Sequence, residues 1–171
     1  MMHDLTLKTA TPADASAVGA LLSRSYPALM GEAYAADVLA PVLPLITRAN
    51  PALLASGTFY IVEAAGRVVG CGGWTFGAPG SGDLVEGLAH LRHFAVDPAH
   101  VRQGVGRLVY DACAHAAAGQ GAVRFQAYSA LNAESFYAGM GLQRLDVLSL
   151  VMTPGITIPT ILMEGPVVPR P

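Results

Sequence analysis

A chain of 171 residues, 53% of them hydrophobic and only 13% charged, can bury a substantial core and is too apolar for a disordered, solvated segment. A net charge of −2 and a pI of about 6.2 argue against a general nucleic-acid binder. The longest uncharged stretch, 147–163, is broken by Pro154, Gly155 and Pro159, so no membrane span is expected.

The N-terminal stretch through Asp14 contains Asp4 and no apolar run, so no secretory signal is read there. Residues 5–9 alternate as a short strand. Thr11-Pro12-Ala13-Asp14 then opens a helix: Thr11 as cap, Pro12 in the first turn, Asp14 facing unpaired N–H groups. This helix buries Val18, Leu21 and Leu22 and should stop before Pro27. Residues 28–48 read as broken helical pieces, and Asn50-Pro51 as a loop. From Thr58 the period changes to that of a hairpin, with strands at 59–63 and 68–76. Gly70, Gly72 and Gly73 point to a bulge or a close backbone approach in its second strand. A glycine-rich loop at 77–83 precedes a strand at 88–96, a small-residue helix at 104–118 and a strand at 123–128. A short helix at 132–140 and strands at 145–152 and 160–168 complete the chain. With no repeat or linker, the pattern predicts one domain, 1–171, of α/β class with a mixed, mostly antiparallel sheet.

The chemistry concentrates where the 88–96 strand runs through Asp97-Pro98 into Arg102-Gln103-Gly104-Val105-Gly106-Arg107 and a helix. Free N–H groups at such a helix start attract an anion, usually phosphate, and Arg102 and Arg107 add positive charge. Gly104 and Gly106 are read as clearing space for a ligand against the backbone. Neither a third glycine for a dinucleotide fingerprint nor a Gly-Lys-Ser/Thr for a nucleotide P-loop is present. Cys71 and Cys113 are read as buried and inert, in a reducing, cytoplasmic setting, and no His/Cys/Asp cluster has metal-site spacing.

These segments resemble the GCN5-related N-acetyltransferase (GNAT) superfamily. The resemblance spans nearly the whole chain, through the Ala-Thr-Pro-Ala-Asp helix start, the hairpin, the Phe94–Pro98 strand end, the Arg102–Gly106 loop, and Asn132 with Phe136-Tyr137 and Gly141-Leu142. It implies a six- or seven-stranded sheet with helices on both faces, whose fourth and fifth strands, here 88–96 and 123–128, splay apart around acetyl-CoA. It implies that the amides of residues 102–107 hold the diphosphate and that main-chain groups of Phe94, Ala95 and Val96 meet the pantetheine arm like an added strand. Val101 stands where the family usually has Gln or Arg, a change that removes a side-chain contribution but leaves the amides in place. Tyr137 is then the acid that protonates the leaving thiolate, Asn132 a pantetheine contact that also serves as helix cap, and the Phe94 amide the oxyanion donor.

A protonated amine with a pKa of about 10.4 must lose a proton before it attacks. His90, six residues before Val96 where some members of the family place a glutamate or histidine base, is one candidate acceptor. Glu86 is a second, and water a third. Simple alternation puts His90, Arg92, Phe94 and Val96 on one strand face and Leu91, His93 and Ala95 on the other, which makes His93 structural. Tyr26, Met30, Tyr34, Tyr60 and Trp74 are candidates for an acceptor pocket or for the core.

The expectation is therefore a direct-attack N-acetyltransferase acting on an amine of a small molecule or peptide, without nucleic acid or membrane partners. The alternatives are a non-catalytic acyl-CoA-binding module and a transferase of longer acyl groups, for which Gly70, Gly72 and Gly73 would make room. The apolar composition and the 145–168 tail are compatible with a homodimer.

Overall fold

The computed structural model describes residues 4–171; the first three residues of the N-terminal stretch read above lie outside it. Strand β1 (Leu5–Thr9) leads through a single 3-10 turn at Pro12–Asp14 into helix α1 (Ala15–Met30). Three short helices follow, α2 (Ala36–Leu39), α3 (Leu43–Ile46) and α4 (Pro51–Ala55). Then come β2 (Phe59–Ala64), β3 (Arg67–Thr75), β4 (Leu88–Val96), α5 (Val105–Gly119), β5 (Arg124–Ser129), α6 (Glu134–Gly139), β6 (Gln143–Thr153) and β7 (Ile156–Pro166). The strands form one sheet in the order β1-β2-β3-β4-β5-β7-β6, with only β4–β5 parallel.

Local chemistry accounts for the elements that depart from expectation. Helix α1 continues through Pro27 to Met30. A proline there forfeits one intrahelical bond, but burial of Leu21, Leu22 and Met30 along the same helix offsets the loss. Asn50-Pro51 starts a helix rather than a loop: the Asn50 Oδ1 accepts from the Ala52 and Leu53 amides at 3.0 and 3.3 Å, and Pro51 takes the first helical position. Thr11 stands at the N-cap as expected, and the Asp14 carboxylate reaches back to accept the Thr11 amide at 2.8 Å, closing a capping box. The last two strands start earlier than their composition suggests, because Pro154-Gly155 reverses the chain at once and β7 runs through Pro159.

The core has three parts. One lies between the sheet and α5 and contains Trp74, Leu91, Val105, Val109, Phe125 and Tyr137. A second, with Leu21, Leu22, Leu53, Leu54, Ile61 and Cys71, fills the opposite face under α1 and α4. The third gathers Met30, Tyr34, Leu39, Val42 and Ile158 where the end of α1 meets β7. Helices thus cover both sheet faces, and Tyr60 and Trp74 belong to the α5-side core.

The glycines of β3 are steric necessities. A Cβ on Gly72 would stand 2.6 Å from the Phe94 ring, and one on Gly70 would collide with Val105. At Gly73 it would lie 2.8 Å from the Phe59 Cα and nearer still to the Thr58 carbonyl. The protein's own atoms fill this space, so the row offers no extra room for a long acyl chain. Because the obstruction at Gly73 is backbone, Gly73→Ala should destabilise the fold by about 1–3 kcal/mol, read as a lowered midpoint in thermal or urea denaturation.

Candidate active site

Strand β4 is where the site begins. Its pairing with β3 slips between Cys71 and Gly73, so that one β3 residue, Gly72, faces two residues of β4. His93 takes up the slack with φ of +53°, a left-handed conformation that marks a β-bulge. The bulge inverts the alternation expected for this strand. Leu91, Phe94 and Val96 face the α5 side, and Ala95 packs under α1. His90 and Arg92 occupy the face opposite Phe94: His90 pairs with Thr75, and Arg92 Nη1 donates to the Thr75 hydroxyl at 3.0 Å. His90 and Phe94 therefore do not share a face.

Past His90, ahead of the bulge, β4 also parts from β5. The two strands pair at Leu88–Arg124, Ala89–Phe125 and His90–Gln126 only. The carbonyls left on this open edge are taken by α1: the Ser25 hydroxyl donates to Val96 O at 2.7 Å and the Tyr26 hydroxyl to Phe94 O at 3.1 Å. In a strand, a residue's N–H and C=O point to the same side. The amides of Phe94 and Val96 therefore face the gap, whereas the next amide, Asp97, turns to Val69 O on β3 at 2.8 Å. One helical turn of α1 completes the attachment, because Arg24 bonds both the Asp97 carboxylate and Val68 O at 3.0 Å. Burial works to raise the Asp97 carboxyl, but the Ala99 amide and Arg24 outweigh it and hold it below the ordinary carboxylate value.

The gap opens into a cavity of about 890 Å³. At one end lie His100, Val101, Arg102, Gly104, Val105, Gly106 and Arg107, around the N-terminus of α5. Gly104 has φ of +84° and ends the loop in a conformation that favours glycine. Its carbonyl accepts from Leu108, so the amides of Val105, Gly106 and Arg107 have no partner within the helix and carry the positive end of its dipole. Gly106 has a different reason to be glycine from the one expected: a Cβ would stand 2.7 Å from the Phe136 ring of α6. Gln103 is exposed and turned back toward Ala99 O at 3.5 Å.

Midway along the cavity are Ala95, Asn132 and Tyr137. Asn132 occupies the 3-10 turn at Leu131–Ala133 and does not cap α6, whose preceding residue is Ala133. Its Oδ1 is buried without a hydrogen-bond partner. Tyr137 is 7% exposed and packs edge-on with Phe94 and Phe136, ring centroids 6.0 and 5.2 Å away. Burial pushes its phenol well above the ordinary tyrosine value, with no hydrogen bond to offset it, so it stays protonated. Tyr26, also lining the cavity, is raised by the same cause.

Of the proposed proton acceptors, His90 is buried at the last paired position before the gap, with Nδ1 unpartnered. Burial and the Arg92 charge lower its pKa. Glu86 is exposed in the loop before β4, and neither residue lines the cavity. His93 does line it, contrary to its expected placement, and burial and Arg92 bring its imidazole down to about 4. Cys71 and Cys113 are buried free thiols; burial pushes Cys71 up to about 12 and Cys113 well above the ordinary thiol value. The role of Ser25 and the placement of the extra residue on β4, at His93, escaped sequence reasoning, although a bulge in this region was expected. A serine inside an apolar helix gave no signal, and only the glycines of β3 hinted at the bulge.

The neutral His93 makes folding pH-dependent. The unfolded imidazole binds its proton near 6.5 and the folded one near 4, so stability is full above 6.5 and falls as pH drops through that window. The loss should reach about 3 kcal/mol at most. His93→Asn, which tolerates the left-handed backbone, should flatten this slope in urea titrations at pH 7 and pH 4.5, while His90 retains part of it with the same sign.

A family model described as an acetyltransferase (GNAT) domain matches residues 55–143. Among solved structures, the chain is similar to a GCN5-related N-acetyltransferase from Rhodopseudomonas palustris, with a TM-score of 0.74 and 21% identity over 97% of this chain and 98% of that one. It is likewise similar to the PaiA N-acetyltransferase of Thermoplasma acidophilum in complex with coenzyme A, with a TM-score of 0.71 and 13% identity over 95% and 99% of the two chains. The ribosomal-protein-S18-alanine N-acetyltransferase of Escherichia coli gives 0.63 and 18% over 96% and 94%. No curated protein matches the sequence. Among the described residues no helix is long and apolar enough to cross a membrane. With the match covering just over half of the chain, and the fold shared over nearly all of it, the chain belongs to the GNAT acetyltransferase family.

Proposed function

We propose that this acetyltransferase moves an acetyl group from acetyl-CoA to a primary amine by direct attack, with no covalent enzyme intermediate. The observation that carries the proposal is the continuity of one cavity from the α5 N-terminus, past the outward-facing amides of Phe94 and Val96, to the buried phenol of Tyr137. The amides of residues 102–107, with Arg102 and Arg107, suit a diphosphate. The Val96 amide suits a carbonyl of a pantetheine arm, which would take the place that β5 leaves empty, and leaves the Phe94 amide for the thioester oxygen. The unpartnered Asn132 Oδ1 fits one of that arm's N–H groups.

The reaction requires charge to build on the thioester oxygen and then on sulfur. The Phe94 amide, held by the bulge, is the donor for the oxygen. Tyr137 gives its proton to the departing thiolate as the C–S bond breaks; its high pKa keeps that proton in place until then. The amine's own proton leaves through water toward His90, the last residue of β4 paired with β5, whose buried Nδ1 has no partner. Glu86, exposed in the loop ahead of β4 and away from the end of the β4–β5 pairing, is not used in this route.

Calorimetry should show acetyl-CoA binding, and a thiol-release assay should show turnover with a suitable amine. Tyr137→Phe should lower kcat on the order of a hundredfold or more, while acetyl-CoA affinity shifts by less than about threefold. Equal turnover in the variant would remove Tyr137 from the chemistry, and binding without turnover by any amine would favour the acyl-CoA-binding module. His90→Gln should lower kcat/KM about tenfold near pH 7 and erase the acid limb of its pH profile; an unchanged profile assigns the proton to water alone.

A further inference from the structure

The half of the cavity remote from α5 has a chemistry of its own. Met30, Val42, Ile46, Leu150, Met152 and Ile158 wall it, contributed by the end of α1, the α3 region and the β6–β7 hairpin. Its buried hydroxyls are already engaged within the protein, and the Tyr128 hydroxyl, at the exposed mouth on β5, is the exception. The Tyr34 hydroxyl donates to Pro159 O at 2.6 Å and accepts from the Leu131 amide at 3.0 Å. The Thr160 hydroxyl donates to Ile158 O at 3.1 Å, and those of Ser25 and Tyr26 are spent on β4. Among the described residues lining the cavity, the single carboxylate is Glu32, which is exposed at the rim beyond the end of α1. The cavity's cationic residues, Arg102 and Arg107, are gathered at the opposite end.

Building on the acetyl-transfer reading, we infer that the acceptor is a primary amine carried on an apolar aliphatic or aryl body. Polyamines, sugar amines and free amino acids are poor fits. Each additional ammonium, hydroxyl or carboxylate carried into the buried part of this half would find no free partner, at a cost on the order of tenfold in affinity or more per group. Ile46, Leu150 and Met152 are only partly buried against the surrounding cluster and present the surface that an alkyl chain or ring would cover.

The test is a titration of the protein saturated with free CoA, in which amines bind without reacting. Benzylamine and hexylamine should each bind at least tenfold more tightly than spermidine or lysine amide. Leu150→Asp and, independently, Ile46→Asp should weaken benzylamine at least tenfold while changing the Kd of CoA by less than about threefold. Two variants on separate elements guard against a fold defect in either one. Spermidine or lysine amide binding as tightly as benzylamine would overturn the assignment, as would indifference of benzylamine to both substitutions. Should CoA itself fail to bind, the acetyl-transfer reading falls. The same amine titrations into the free protein would then still decide the nature of this pocket.

Discussion

The structure depends on how the open edge of β4 is satisfied. Past His90 this strand has lost its parallel neighbour, and each buried carbonyl left bare would cost about 1–3 kcal/mol. Two consecutive residues of α1 remove that cost on the carbonyl side, Ser25 at Val96 and Tyr26 at Phe94, while Arg24 beside them holds the Asp97 carboxylate. They leave the amides alone. The result is an edge that donates and does not accept, which is the polarity needed to meet the carbonyl-rich arm of an acyl thioester. A neighbouring strand would have used donors and acceptors equally. The clamp also explains why α1 persists through Pro27, since its second half is fixed by tertiary bonds rather than by its own ladder.

The cavity divides its electrostatics by distance from α5. Cationic side chains and helix amides lie at one end, and an apolar wall with internally satisfied hydroxyls lies at the other. Between them stand groups that burial holds neutral: His93 well below the ordinary imidazole value, and Tyr26 and Tyr137 well above the ordinary phenol value. An uncharged middle keeps the local dielectric low, so a few main-chain dipoles there act more strongly on developing charge than they would in water.

Much of this was legible from residues alone. The period change at Thr58, the Gly-x-Gly turn out of a strand and the small-residue helix after it carried the sheet, α5 and the anion-attracting end. What escaped was set by tertiary packing. Nothing local announces that His93 adopts a left-handed backbone; the reason lies across the sheet, where Gly72 makes room for the Phe94 ring. That single extra residue moved His90 to the face opposite Phe94 and brought His93 to the cavity. Asn50-Pro51 was a different kind of miss, because a cap followed by proline at the first helical position is a local signal that also fits a loop. Asn132 looked like a cap by residue type, yet the 3-10 turn ahead of α6 left its amide oxygen free for another role.

The contact between Gly106 and the Phe136 ring joins the first turn of α5 to α6 with no space between them. Phe136 in turn touches Tyr137 and Phe94, so the anion-attracting loop, the phenol and the bulged strand are gripped as one unit. A ligand seated at the loop therefore finds the hydroxyl already in position and spends no binding energy on ordering it. The converse follows from the same packing: a substitution that loosens this aromatic wedge would blur the alignment of both ends at once, even though it touches neither phosphate nor sulfur.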